Sequence, residues 1–155
     1  PKLIIGRVQG KAVGGGVGLA AACDYTFATS ESALKLSELS IGIGPFVIEP
    51  AVSRKIGKTA LSELALTPTK WKSAHWAKEK GLYTELFDSV VELDAELNAF
   101  SAALCMYPPE ALTAMKKVFW EGTDHWDALL SERAAISGKL VLSPFTKNAL
   151  ATFKK

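Results

Sequence analysis

Three consecutive glycines, Gly14-Gly15-Gly16, lead into the small-residue run Val17-Gly18-Leu19-Ala20-Ala21-Ala22-Cys23. Glycine lets another group approach the backbone closely. A glycine turn that opens a helix also presents unpaired N–H groups at the positive end of the helix dipole. Such a turn could hold a phosphate or a developing oxyanion, and tight strand–helix packing is the competing explanation. Glu38 is the second candidate. It stands in Leu36-Ser37-Glu38-Leu39-Ser40-Ile41-Gly42, with no basic residue beside it. Desolvation there would raise its pKa and suit it to general acid or base work, whereas a solvated turn glutamate would do neither. Glu31, Glu49 and Glu63 read as solvent-facing charges, with Glu49 the only one placed to substitute for a second carboxylate.

Other chemistries fail on spacing. A dinucleotide fingerprint starting at Gly14 breaks at Leu19, and one starting at Gly10 breaks at Ala12. Gly57-Lys58-Thr59 imitates the end of a phosphate-binding loop, but Val52 stands where its first glycine belongs. No Gly-x-Ser-x-Gly elbow occurs. His75 and His125 have no ligand partner at metal spacing, so no metal site is expected. Cys23 and Cys105 sit apart in apolar contexts and read as buried reduced thiols, which suits a cytoplasmic protein. Trp71, Trp76, Trp120 and Trp126 read as core or subunit-interface residues.

The elements that must position these residues follow from pattern. Leu3–Val8 reads as a buried strand, Val17–Cys23 as a short helix, Tyr25–Ala28 and Ala33–Leu36 as strands. Pro45 fits the first turn of a helix running to Ile56 and stopped by Gly57. A helix over Thr59–Leu66 follows, then one capped by Ser73 and ended by Gly81. Leu82–Phe87 alternates like a strand. From Ser89 onward the pattern is helical: a stripe through Val90, Leu93, Leu97 and Phe100, and a helix opened by Pro108-Pro109 with Leu112, Met115, Val118 and Phe119 facing inward. One helix from Trp126 to Leu142 and a last one from Ser143-Pro144 complete it. The division is therefore 1–88, mixed α/β, and 89–155, all-helical.

The whole composition is that of an ordinary folded domain: 155 residues, 48% hydrophobic and 22% charged. With 18 basic and 16 acidic residues, the net charge of +2 is too small for a nucleic-acid surface. No apolar run reaches membrane-spanning length, so no membrane is expected. Pro1-Lys2-Leu3-Ile4-Ile5 lacks a signal-peptide layout and reads as the interior of a longer protein.

The string Val8–Asp24, continued by Leu36–Pro45, Arg54–Lys58, Leu64–Thr67 and Ala77–Leu82, closely resembles the crotonase (enoyl-CoA hydratase/isomerase) superfamily over its second half. The resemblance implies a spiral of β-β-α units followed by a helical trimerisation region. It implies an oxyanion hole for an acyl-CoA thioester, with one N–H from Gly15, flanked by Gly14 and Gly16, and another from an upstream segment this chain lacks. It makes Glu38 the acid/base residue and places Pro45, Phe153 and Lys154 on the substrate, the last two near the adenine end of CoA. The carrier CoA arrives with the substrate, and no further cofactor is implied. The partners implied are an acyl-CoA and copies of the same chain, in a trimer or dimer of trimers.

Hydratases of this superfamily use two glutamates, and the first would stand at position 18, where this chain has Gly18. Gly14–Leu19 is similar to methylglutaconyl-CoA hydratase-like branches. The implied reaction is water addition to an α,β-unsaturated acyl-CoA through an enolate. The alternatives are a Δ3-Δ2 enoyl-CoA isomerase or decarboxylase, or a non-catalytic trimeric scaffold or inactive fragment. The 155-residue chain alone is expected to be inactive.

Overall fold

The computed structural model describes residues 1–152. Two β-β units open it. Strand β1 (Ile5–Val8) leads to β2 (Lys11–Val13), then helix α1 (Gly15–Ala22). Strand β3 (Tyr25–Thr29) leads to β4 (Ala33–Lys35), then a 3-10 turn (Glu38–Ile41) and helix α2 (Glu49–Leu66). A third turn inverts the order: β5 (Lys72–Ser73), helix α3 (Ala74–Glu79) and β6 (Glu85–Phe87). Equivalent strands stack into two sheets. One is all parallel, β1-β3-β6, with Ile5 opposite Tyr25 and Phe27 opposite Glu85. The other is β2-β4-β5, parallel then antiparallel.

This is the mixed α/β, spiral-like architecture that the resemblance implied. The core lies between the strands and α1, α2 and α3. Val17 and Ala21 of α1, Val52 and Leu64 of α2, and Leu34 and Leu82 belong to one cluster, all fully or almost fully buried. Small residues let α1 pack this closely, which the run of alanines foreshadows.

Helices α4 (Val90–Leu104), α5 (Pro109–Phe119), α6 (Trp126–Val141) and α7 (Pro144–Thr152) follow. Ser89 and Glu92 form a reciprocal capping box at the start of α4. Phe100 of α4 rests on Tyr25 and Phe27 at ring-centroid distances of 4.5 and 5.4 Å. Helix α5 is fastened at Asp24. The buried Asp24 carboxylate accepts from Lys116 Nζ at 2.7 and 2.9 Å, Trp120 Nε1 at 2.6 Å and Ile4 N at 2.7 Å. Burial pushes Asp24 up, but these donors outweigh it and hold the carboxyl below its ordinary range.

Several expectations need correction. The first turn of α2 holds Glu49 and Pro50 rather than Pro45. Pro45 instead starts the preceding turn, its carbonyl accepting from Glu49 N at 2.9 Å. The helix breaks at Gly57 (φ 74°), as the sequence suggested. Strands β2 and β5 are additions to the expected set, and the strand expected over Leu82–Phe87 shrinks to β6. The cysteines are not buried: Cys23 is half-buried at the end of α1 and Cys105 is exposed at the end of α4. Met115, Val118 and Phe119 of α5 are exposed, because α5 touches the rest of the chain along its Lys116–Trp120 edge. Of the tryptophans, Trp71 is exposed beneath Lys11 and Lys35. Trp120 and Trp126 pack edge to face, with Arg54 over the former, and neither is fully buried.

Candidate active site

The glycine turn and Glu38 meet. Gly14 caps α1 with φ 53° and ψ −117°, a backbone conformation that side chains oppose. Its N–H donates to Lys35 O at 3.1 Å, which ties the turn to the end of β4. A Cβ at position 14 would lie 2.9 Å from Glu38 Oε1. Gly14 is therefore fixed twice, by its φ and by the carboxyl lying against it.

Gly15 differs. A Cβ there would meet nothing within 4 Å, and its φ is ordinary. Neither Gly15 N nor Gly16 N has a hydrogen-bond partner among the described residues. Both residues are exposed. Packing does not demand a glycine at 15, so tight strand–helix packing does not account for it. Gly15 and Gly16 present an open N–H pair at the start of α1, directly after the Gly14 backbone that Glu38 lies against.

Glu38 opens the 3-10 turn, and its carbonyl accepts from Ile43 N at 3.1 Å. Its Oε2 is buried and has no partner among the described residues. Burial pushes the carboxyl above its ordinary range, and its own backbone N–H offsets part of this. The turn is braced from behind by α7. A Cβ on Gly42 would lie 2.6 Å from Phe145 Cδ1 and 2.7 Å from Thr146 Oγ1, and Thr146 is fully buried. No local pattern around Thr146 signals this contact.

A cavity of about 180 Å³ opens beside Glu38, walled by Ile43, Pro45, Phe46, Val47 and Ile48, and by Ser137 of α6. Pro45 lines this cavity together with Glu38. Glu49 does not. It lines a separate cavity with Lys58 and Leu61, its Oε2 3.8 Å from an Arg133 nitrogen. Phe153 and Lys154 lie outside the described residues.

Position 18 carries a second message. A Cβ on Gly18 would lie 2.4 Å from Ile48 Cγ2 and 2.8 Å from Ile48 Cβ. The space a position-18 side chain would leave α1 through is filled by Ile48. No group of three or more His, Cys, Asp or Glu side chains that could hold a metal ion occurs among the described residues. Nor is any described helix long and apolar enough to cross a membrane.

The fold thus sets the buried Glu38 carboxyl against the Gly14 backbone, with the open N–H groups of Gly15 and Gly16 following at the start of α1. The chain belongs to the enoyl-CoA hydratase/isomerase family, whose sequence profile matches residues 1–149. Among curated relatives it is 33% identical over 128 residues to the human mitochondrial Delta(3,5)-Delta(2,4)-dienoyl-CoA isomerase, covering 81% of this chain and 38% of that protein. The peroxisomal Delta(3,5)-Delta(2,4)-dienoyl-CoA isomerase of Arabidopsis thaliana is 29% identical over 121 residues, 76% of this chain and 42% of its own length. The chain thus spans well under half the length of these relatives. A solved enoyl-CoA hydratase from Mycobacterium avium superposes with a TM-score of 0.87 at 27% identity, over 96% of this chain and 58% of that one. Pseudomonas aeruginosa OdaA shares the fold with a TM-score of 0.89 at 23% identity, over 99% of this chain and 62% of that one.

Proposed function

We propose that the protein carrying this chain shifts protons on acyl-CoA thioesters through an enolate, and that double-bond migration is the reaction its site fits best. The observation that carries this is Ile48 packed into the space beside Gly18. Among the described residues it leaves Glu38 as the one carboxyl lining the cavity, and one carboxyl suffices for isomerisation. Glu38 takes a proton from C2 of a 3-enoyl thioester. The charge moves to the thioester oxygen, onto Gly15 N–H and a second donor from outside this chain. The same carboxyl then returns the proton to C4. Each such donor is worth about 3 kcal/mol of transition-state stabilisation. A carboxyl pushed upward by burial is a stronger base than an ordinary one, which suits the first step.

Water addition is the second reading, favoured by Ser137, a hydroxyl lining the same cavity. CoA comes with the substrate, and neither reaction calls for a metal. The exposed apolar residues of α5 and α7 support a homo-oligomer, a trimer or dimer of trimers; light scattering tests it, and a stable monomer at micromolar concentration rejects it. The function is tested in the full-length protein with a 3-enoyl-CoA and with crotonyl-CoA. Conversion of the first to the 2-enoyl isomer supports the proposal. Absence of turnover and of CoA-thioester binding would leave a scaffold.

A further inference from the structure

The cavity beside Glu38 is apolar on most sides, with Ile43, Pro45, Val47 and Ile48 in its wall and the Phe46 ring folded over Gly44. Ser137 of α6 supplies its other polar side chain among the described residues. Its hydroxyl donates to Arg133 O, one turn back on α6, at 3.3 Å. That bond occupies the hydrogen and leaves the Oγ lone pairs free to accept. Arg133 in turn reaches Glu49 Oε2 at 3.8 Å, which draws this part of α6 toward the first turn of α2, next to Ile48. Two acceptors therefore border one small cavity: a buried carboxyl oxygen without a partner, and a hydroxyl oxygen whose proton is engaged elsewhere.

We propose that Ser137 decides how the site divides its acyl-CoA between isomerisation and hydration, by holding a water molecule opposite Glu38. The inference rests on the proposed role of Glu38. The water donates one hydrogen to the Glu38 carboxylate and the other to Ser137 Oγ. Its oxygen attacks C3 of a 2-enoyl thioester, and the C2–C3 π electrons move onto the thioester oxygen. Glu38 keeps the proton lost by the water and delivers it to C2 as the enolate collapses. One C–O and one C–H bond form, one water is consumed, and no other reactant is needed. Ser137 thereby takes the water-holding place that a carboxylate at position 18 cannot fill here.

The test uses the full-length protein, a 3-enoyl-CoA and crotonyl-CoA, with the ratio of hydration to isomerisation as readout. Ser137→Ala should lower that ratio about tenfold, the effect of one lost hydrogen bond, with an unchanged thermal midpoint. Ser137→Thr, which keeps the hydroxyl, should restore most of it. An unchanged ratio in Ser137→Ala overturns the inference and leaves the role of Glu38 standing. A wild-type protein that isomerises but never hydrates overturns it in the same way. A wild-type protein with neither activity overturns both.

Discussion

The strand-bearing part and the helical layer are held by different forces. Up to Tyr83 the chain buries most of its apolar side chains in one continuous cluster, from Val17 through Leu64 to Leu82. Beyond it, Leu93 and Thr146 are the fully buried residues among those described, and α5 and α6 bury none. Apart from α4, which packs through Leu93 and Phe100, the layer is pinned at points: Lys116 and Trp120 on Asp24, and Arg133 near Glu49, with Arg7 on Asp94 adding to the hold on α4. Area burial is non-directional and tolerates small shifts; charged hydrogen bonds are directional and fail singly. Both parts converge on Glu38, whose turn rises from the strands and is backed by α7.

The largest expected effect is at that junction. Glu38→Gln should cut turnover by about 10²- to 10⁴-fold while leaving acyl-CoA binding measurable. It should also stabilise the fold at neutral pH. The sign follows from the raised carboxyl: the folded state holds its proton more tightly, so stability falls as pH rises from the unfolded value through the folded one. Gln removes that loss, and the gain should vanish in acid. Urea titrations at neutral and acidic pH check this, and equal stability of the two proteins at neutral pH would contradict it.

Asp24→Ala comes next. Removing one partner of the buried pair strands Lys116 and should cost about 3–5 kcal/mol, with α5 becoming the first site of limited proteolysis. Asp24 has the opposite pH behaviour to Glu38. Its carboxyl is held low, so its contribution is present above the unfolded value and is lost as pH falls through the lower folded one. A proteolysis pattern unchanged by Asp24→Ala would mean that the layer does not hang on this clamp.

A matched pair of glycine substitutions sharpens the contrast. Gly18→Ala drives a methyl into Ile48 and should cost about 1–3 kcal/mol, recovered in part by adding Ile48→Ala. Gly138→Ala, on α6 with nothing near it, should instead gain up to about 1 kcal/mol from helix propensity. Equal effects at both positions would erase the difference between the two regions. The smallest change is predicted for Arg7→Ala. Arg7 and Asp94 form an exposed pair, so its loss should show only in low salt.

The sequence alone determined which residues were worth following. A glycine triplet before a run of alanines has few structural uses, and a glutamate among Ser, Leu and Ile has few partners; both traits are local, and the fold brings Gly14 and Glu38 together. The cap at Ser73 and the break at Gly57 were legible for the same reason, since each depends on near neighbours along the chain. Only the tertiary structure decided that Ile48 closes the space at Gly18, that Ser137 borders the Glu38 cavity, that Thr146 braces the turn and that α5 shows its apolar residues to the outside. Ile48 lies 30 residues from Gly18, and Ser137 lies 99 residues from Glu38, by their positions in the chain. Contacts of that range depend on how elements stack and on close packing in three dimensions, and neither leaves a periodic mark in the sequence.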